Sequence, residues 1–140
     1  MKKLFLILAL AIISVSAQAI TIDELISAIH KVETSGRVGA ILGDNGKALG
    51  PLQIHRVCWA DAMEFNQSIG GKYENCADLK YSKKIFVSYS ARYNKGMNFS
   101  NLTLGDCEAV ARLWNSGPQW KRKMEKTDKY WSKVKSFLVK

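Results

Sequence analysis

Ile22, Leu25, Ile26 and Ile29 recur at the three- and four-residue spacing that lines up side chains on one face of a helix. Thr21 and Glu24 precede the run as a capping box, in which the threonine accepts from the third helical amide and the glutamate reaches back. Glu33 falls four residues after Ile29 and seven after Ile26, so the helix sets an acid on its own apolar stripe. Gly36 follows as the expected C-cap.

The pattern then changes. Ile41 to Leu49 reads as a short hairpin turning at Asn45-Gly46, a dipeptide suited to a type I′ turn. Gly50-Pro51 is expected to open a second helix running to about Phe65, with Ile54, Cys58, Ala62 and Phe65 inward. A glycine-bearing loop spans Asn66 to Tyr73. Asp78 caps a third helix whose inner face is Leu79, Ile85, Phe86, Tyr89 and Tyr93, and Asn94-Lys95-Gly96 ends it. A fourth helix covers Leu104 to Trp114, stopped by Asn115-Ser116-Gly117-Pro118. The last runs from Thr127 with Trp131, Val134, Phe137 and Leu138 at helical spacing. No repeat, linker or low-complexity tract interrupts the chain. The expected class is α+β, one mostly helical domain with a small hairpin.

Composition adds a compartment. The opening MKKLFLILALAIISVSAQA has two lysines, an apolar run of about a dozen residues and the small-x-small pattern Ala17-Gln18-Ala19. This predicts a signal peptide over residues 1–19 and a single exported domain over 20–140, secreted or periplasmic. The run is too short for a membrane span. Without Lys2 and Lys3, 19 basic residues face 12 acidic ones, a net charge of +7 that favours an anionic partner such as bacterial cell wall, or simply keeps the surface soluble. Cys58, Cys76 and Cys107 allow one disulfide at most, and their spacing matches no zinc site. No metal or cofactor is expected.

Two carboxylates hold the candidate chemistry. A carboxyl on an apolar helix face resists ionisation, so Glu33 can keep a proton near neutral pH, as a general acid for glycosidic cleavage must. Asp44, in a glycine-rich hairpin, should stay charged. One protonated and one charged carboxyl are the parts of a glycoside hydrolase site, about 5–5.5 Å apart in retaining enzymes. Each residue also has a plainer reading: Glu33 as a fraying last-turn residue rotated to solvent, Asp44 as a turn former beside Asn-Gly. His30 and His55 read as structural histidines, and the four tryptophans as core before sugar platforms.

The runs Glu33-Thr34-Ser35-Gly36, Gly43-Asp44, Gly50-Pro51-Leu52-Gln53-Ile54 and Trp59-Ala60-Asp61 resemble the invertebrate-type (destabilase-like) lysozymes. So do Cys107 to Pro118 and Lys129-Tyr130-Trp131, and together these cover nearly all of residues 20–140 in order. The resemblance implies a lysozyme-like fold with the hairpin beside an active-site cleft, Glu33 as general acid and Asp44 as second carboxylate. It also implies substrate contacts at Ser35, Gln53, Trp114, Asn115 and Gly117. The substrate would be peptidoglycan, cut at the β-1,4 bond between N-acetylmuramic acid and N-acetylglucosamine by an antimicrobial, wall-lysing monomer. Animal members are rich in cysteine; this chain looks more like the sparsely cross-linked bacterial relatives. If a disulfide forms, the resemblance places Cys107 in it, with Cys76 the preferred partner. Trp114 replaces a histidine that some members tie to isopeptidase activity.

Two rival functions stay open at this level. A lytic transglycosylase also uses one glutamate but closes a 1,6-anhydro ring and needs no second carboxylate. A non-catalytic cationic protein would bind envelopes without cutting them. The basic tail from Lys121 to Lys140 holds eight Lys/Arg against Glu125 and Asp128, but no motif or stacking groove goes with it, so no nucleic-acid partner is expected.

Overall fold

The computed structural model describes residues 18–139. The expected signal peptide therefore falls, up to residue 17, outside the described residues. No described helix is long and apolar enough to cross a membrane.

The order is α1 (Ile22–Thr34), β1 (Leu42–Gly43), β2 (Ala48–Leu49), β3 (Ile54–His55), α2 (Arg56–Phe65), α3 (Leu79–Tyr93), α4 (Leu104–Ser116) and α5 (Met124–Leu138). Short 3₁₀ turns at Gln67–Ile69, Tyr73–Ala77 and Trp120–Lys123 join the later helices. The α+β class holds. Helix α5 packs on α1 and α4, and α2 packs on α3. One core of Leu25, Ile26, Ile29, Leu52, Ile54, Ile85, Phe86, Val110, Leu113 and Val134 joins all of them but α2, which adds Ala62.

Helix α1 begins as expected. Thr21 N–H donates to Glu24 Oε2 at 2.7 Å, and Glu24 N–H donates to Thr21 Oγ1 at 3.3 Å. Its cap is Ser35, one residue before the expected Gly36. Ser35 takes the left-handed conformation at φ 56° and donates its N–H to Lys31 O. Gly36, at φ 77°, follows and donates to His30 O, so the pair closes the helix together.

The hairpin proves to be a three-stranded antiparallel sheet in the order β1-β2-β3. Gly43 pairs with Ala48, and Leu49 with both Leu42 and Ile54. The helix expected to open at Gly50-Pro51 begins only at Arg56. Gly50 (φ 83°) and Gln53 (φ 52°) turn the chain sharply, and Ile54 then pairs with β2. Proline serves the second position of such a turn as well as the first turn of a helix, so the dipeptide does not choose between them.

Three residues assigned to inner faces lie outside. Phe65 is 48% exposed, Tyr93 38% and Phe137 46%. Each sits at the last turn of its helix: Tyr93 packs edge-on to Tyr89 and turns its hydroxyl out to Asp61, and the Lys31 ammonium covers Phe137 at 5.3 Å from the ring centre. Helix α5 starts three residues ahead of Thr127, whose buried hydroxyl donates to Met124 O. All three cysteines are free, so the Cys76–Cys107 bond is not made. Burial pushes both thiols up to about 12, which keeps them unreactive.

Candidate active site

Glu33 occupies the last turn of α1, where the stripe that buries Leu25, Ile26 and Ile29 also desolvates its carboxyl. Burial raises its pKa from 4.5 to about 7, against the lowering effect of one hydrogen bond. That bond comes from the Tyr130 hydroxyl on α5, donated to Oε1 at 2.7 Å. The solvent-rotated reading of Glu33 therefore fails.

Asp44 lies in the open. Its side chain is 56% exposed at the β1–β2 turn, and its Oδ2 is 3.5 Å from His55 Nε2 on β3. His55, read from the sequence as structural, thus faces Asp44. His30 does keep a structural role, donating from Nε2 to Arg37 O at 2.7 Å.

The segment from Gly50 to Gln53 ties the pieces together. Thr34, next to Glu33 and 3% exposed, sits with its hydroxyl 2.9 Å from Pro51 O. On the other side the Trp114 indole N–H donates to Leu52 O at 3.2 Å. Trp114 itself packs on Phe86, with ring centres 4.5 Å apart, and edge-on to Tyr89. The end of α1 and the end of α4 thus meet at one turn of the sheet. Asn115 is exposed beside Trp114, and Gly117 caps α4 at φ 84°.

Gln53 is committed inside the sheet. Its Nε2 donates to Ile41 O at 3.2 Å and Gly50 O at 3.0 Å, and its Oε1 fills the space over Gly43. A Cβ on Gly43 would come within 1.7 Å of that oxygen. Among the described residues, the non-glycine positions with positive φ are Ser35, Asp44, Asn45 and Gln53. All four lie in this one stretch, and three are expected site residues. Asp44 and Asn45 are residue types that tolerate this conformation in a turn, whereas Ser35 and Gln53 carry a cost there of about 1–2 kcal/mol each.

Two cavities lie elsewhere, about 540 Å³ beside Phe65 and Val87 and about 870 Å³ between Ile20, Leu102 and Phe137. Neither is lined by Glu33 or Asp44. Sequence reasoning gave no site role to Tyr130, Thr34 or His55. For Tyr130 a signal existed, its place beside Trp131 in the quoted Lys-Tyr-Trp run; for the other two only the folded contacts reveal it.

The family model described as Destabilase matches residues 24–137. No curated protein matches the chain.

Proposed function

The chain belongs to the destabilase family, and from that premise we propose that it is an exported lysozyme that hydrolyses the β-1,4 bond between N-acetylmuramic acid and N-acetylglucosamine in peptidoglycan. The family is lysozyme-like, which supports glycoside hydrolysis broadly; the bond, the residues and the export are this proposal's own. The observation that carries it is the half-buried Glu33 carboxyl on the apolar face of α1, its Oε1 accepting from the Tyr130 hydroxyl at 2.7 Å and its pKa raised by desolvation.

Glu33 starts protonated and delivers its proton to the leaving glycosidic oxygen as the bond to the anomeric carbon breaks. Asp44 stabilises or traps the cationic sugar carbon. Glu33, now charged, takes a proton from water as that water attacks, which restores the starting state. Ser35, Asn115 and Gly117 are the substrate contacts that remain free for a glycan; Gln53 shapes the sheet under Asp44, and Trp114 offers what its packing leaves exposed. The cationic surface draws the protein to an anionic wall.

A turbidity assay on bacterial cell walls, followed by analysis of the released sugars, tests this. Clearing with reducing muramic ends is expected. Release of 1,6-anhydro ends would make the enzyme a transglycosylase, and wall binding without clearing would leave a non-catalytic cationic protein.

A further inference from the structure

We propose that Tyr130 is the positioning residue of the general acid, its hydroxyl holding Oε1 of Glu33 so that Oε2 is the oxygen that stores and delivers the proton. This rests on Glu33 being the acid of the proposed reaction. The geometry is specific: the donor lies 2.7 Å from one carboxyl oxygen and arrives from a helix 97 positions away in the chain. A neutral carboxyl carries one proton on one oxygen, and an oxygen that already accepts from a phenol is the poorer place for it.

The phenol is held in place from behind. Its neighbours Trp131 and Val134 are buried, only 8% and 0% exposed. The start of α5 is pinned by buried Arg112 of α4, whose Nη1 donates to Met124 O, Thr127 Oγ1 and Asp128 Oδ1 at 2.7–2.8 Å. Glu108 holds the same guanidinium from the other edge. Arg112 thus fixes the register of the helix that presents Tyr130, and the hydroxyl needs no rearrangement to meet Glu33. Burial raises the Tyr130 pKa well above its usual value, so it remains a donor throughout the working pH range.

Other charges near Glu33 are engaged elsewhere. On α1, Lys31 covers the Phe137 ring. In the loop that follows, Arg37 donates to Thr34 O. On the sheet, Asp44 and His55 face each other. On α5, Lys126, Lys129 and Lys133 are exposed, and Asp128 is taken by Arg112. Among the described residues no ion pair includes Glu33, so burial and the Tyr130 hydroxyl are the two influences that set its proton affinity.

The sign follows. A donor to a carboxylate favours its charged form, so Tyr130 opposes burial, and its loss must raise the Glu33 pKa further. Lysozyme activity needs protonated Glu33 and falls as pH rises through that pKa. Tyr130→Phe should therefore move the basic limb of kcat/KM upward by about one pH unit, since a hydrogen bond to a charged group is worth about that much. At the pH optimum kcat should drop about tenfold with KM little changed, because the acid is no longer held in one orientation. A role in packing alone would lower stability without moving the pH limb.

Two controls separate the general acid from the residue that positions it. Glu33→Gln must be inactive; if it lyses walls, the general-acid reading fails regardless of Tyr130. If Glu33→Gln is dead while Tyr130→Phe keeps both the parental pH limb and the parental kcat, the positioning role is overturned. Should Tyr130→Phe not fold, 3-fluorotyrosine introduced at position 130 decides the matter with the shape nearly unchanged. A more acidic phenol is a stronger donor, so the basic limb should move to lower pH; an unmoved limb would overturn the proposal.

Discussion

Replacing Glu33 with Gln should do two opposite things, abolish wall lysis and strengthen the fold at alkaline pH. The first follows because an amide cannot deliver a proton. The second comes from linkage. Glu33 binds its proton more tightly in the folded protein, where burial raises its pKa to about 7, than in the unfolded chain near 4.5. A raised pKa contributes stability that is fully present below the unfolded value and is lost as pH rises through the folded one. Each pKa unit corresponds to about 1.36 kcal/mol, so above pH 7 the ionised glutamate weakens the protein by roughly 3 kcal/mol compared with its protonated form. Gln keeps the shape and can accept from Tyr130 without that charge. Glu33→Gln and the parent should thus melt within a degree or two of each other at pH 4. At pH 8 the variant should melt roughly 10 °C higher, at a few degrees per kcal/mol for a domain of this size. Calorimetry at the two pH values reads the difference directly. A gap of equal size at pH 4 and pH 8, or a variant less stable than the parent at pH 8, would refute the claim that Glu33 is a desolvated acid.

The remaining predictions concern the sheet and its tie to α1. Asp44→Asn should cut turnover by orders of magnitude while leaving the melting temperature and substrate binding near parental values, since Asn tolerates the left-handed φ of 49° at least as well as Asp; turnover above about a third of the parent's would return Asp44 to a turn-forming role. Gly43→Ala should displace the Gln53 amide from Ile41 O and Gly50 O and cost about 1–2 kcal/mol. That cost should shrink in a Gln53→Ala background, and a fully additive double-mutant cycle would count against the clash. Thr34→Val strands the buried Pro51 carbonyl and should cost about 1–2 kcal/mol by denaturant titration, with lysis reduced; unchanged stability would mean that the α1–sheet tie is not held there.

Much of this was legible in the chain. The periodicity from Ile22 to Ile29, the capping box at Thr21 and the Asp78 cap each depend on neighbours within four residues, and each formed as read. Glu33 was legible for the same reason, since a helix face is set by spacing alone. What failed was long-range or degenerate. Gly50-Pro51 fits a turn and a helix start equally, and the choice was made by Ile54 pairing with Leu49 and by the Gln53 amide, neither of which a local pattern encodes. Phe65, Tyr93 and Phe137 keep helical spacing to the last turn, yet their burial depends on where the neighbouring helices stop. Tyr130 was marked only by its place in the Lys-Tyr-Trp run; its contact with Glu33 could not be read, because the two are 97 positions apart.

The local rules that this chain breaks are broken together. An acid in the last turn of a helix opposes the negative end of the helix dipole, and burying that acid opposes its ionisation; Glu33 does both. Within the next twenty residues Ser35, Asp44, Asn45 and Gln53 hold left-handed backbone without being glycine. If these departures came from chance or weak selection, they would be scattered among helix ends and loops. The other described positive-φ positions, at Gly70, Gly71, Gly96 and Gly117 among them, are instead filled by the residue that adopts them freely. Elsewhere the chain mostly follows local rules: capping boxes at α1 and α4, an Arg112 guanidinium that meets Met124 O, Thr127, Asp128 and Glu108, an apolar core from Leu25 to Val134. A fold stabilised in that way can hold one unfavourable carboxyl at Glu33 and a strained turn at Gln53, joined through the Thr34–Pro51 contact. Relieving either by mutation should raise stability or leave it untouched while removing activity, as expected where local strain serves chemistry.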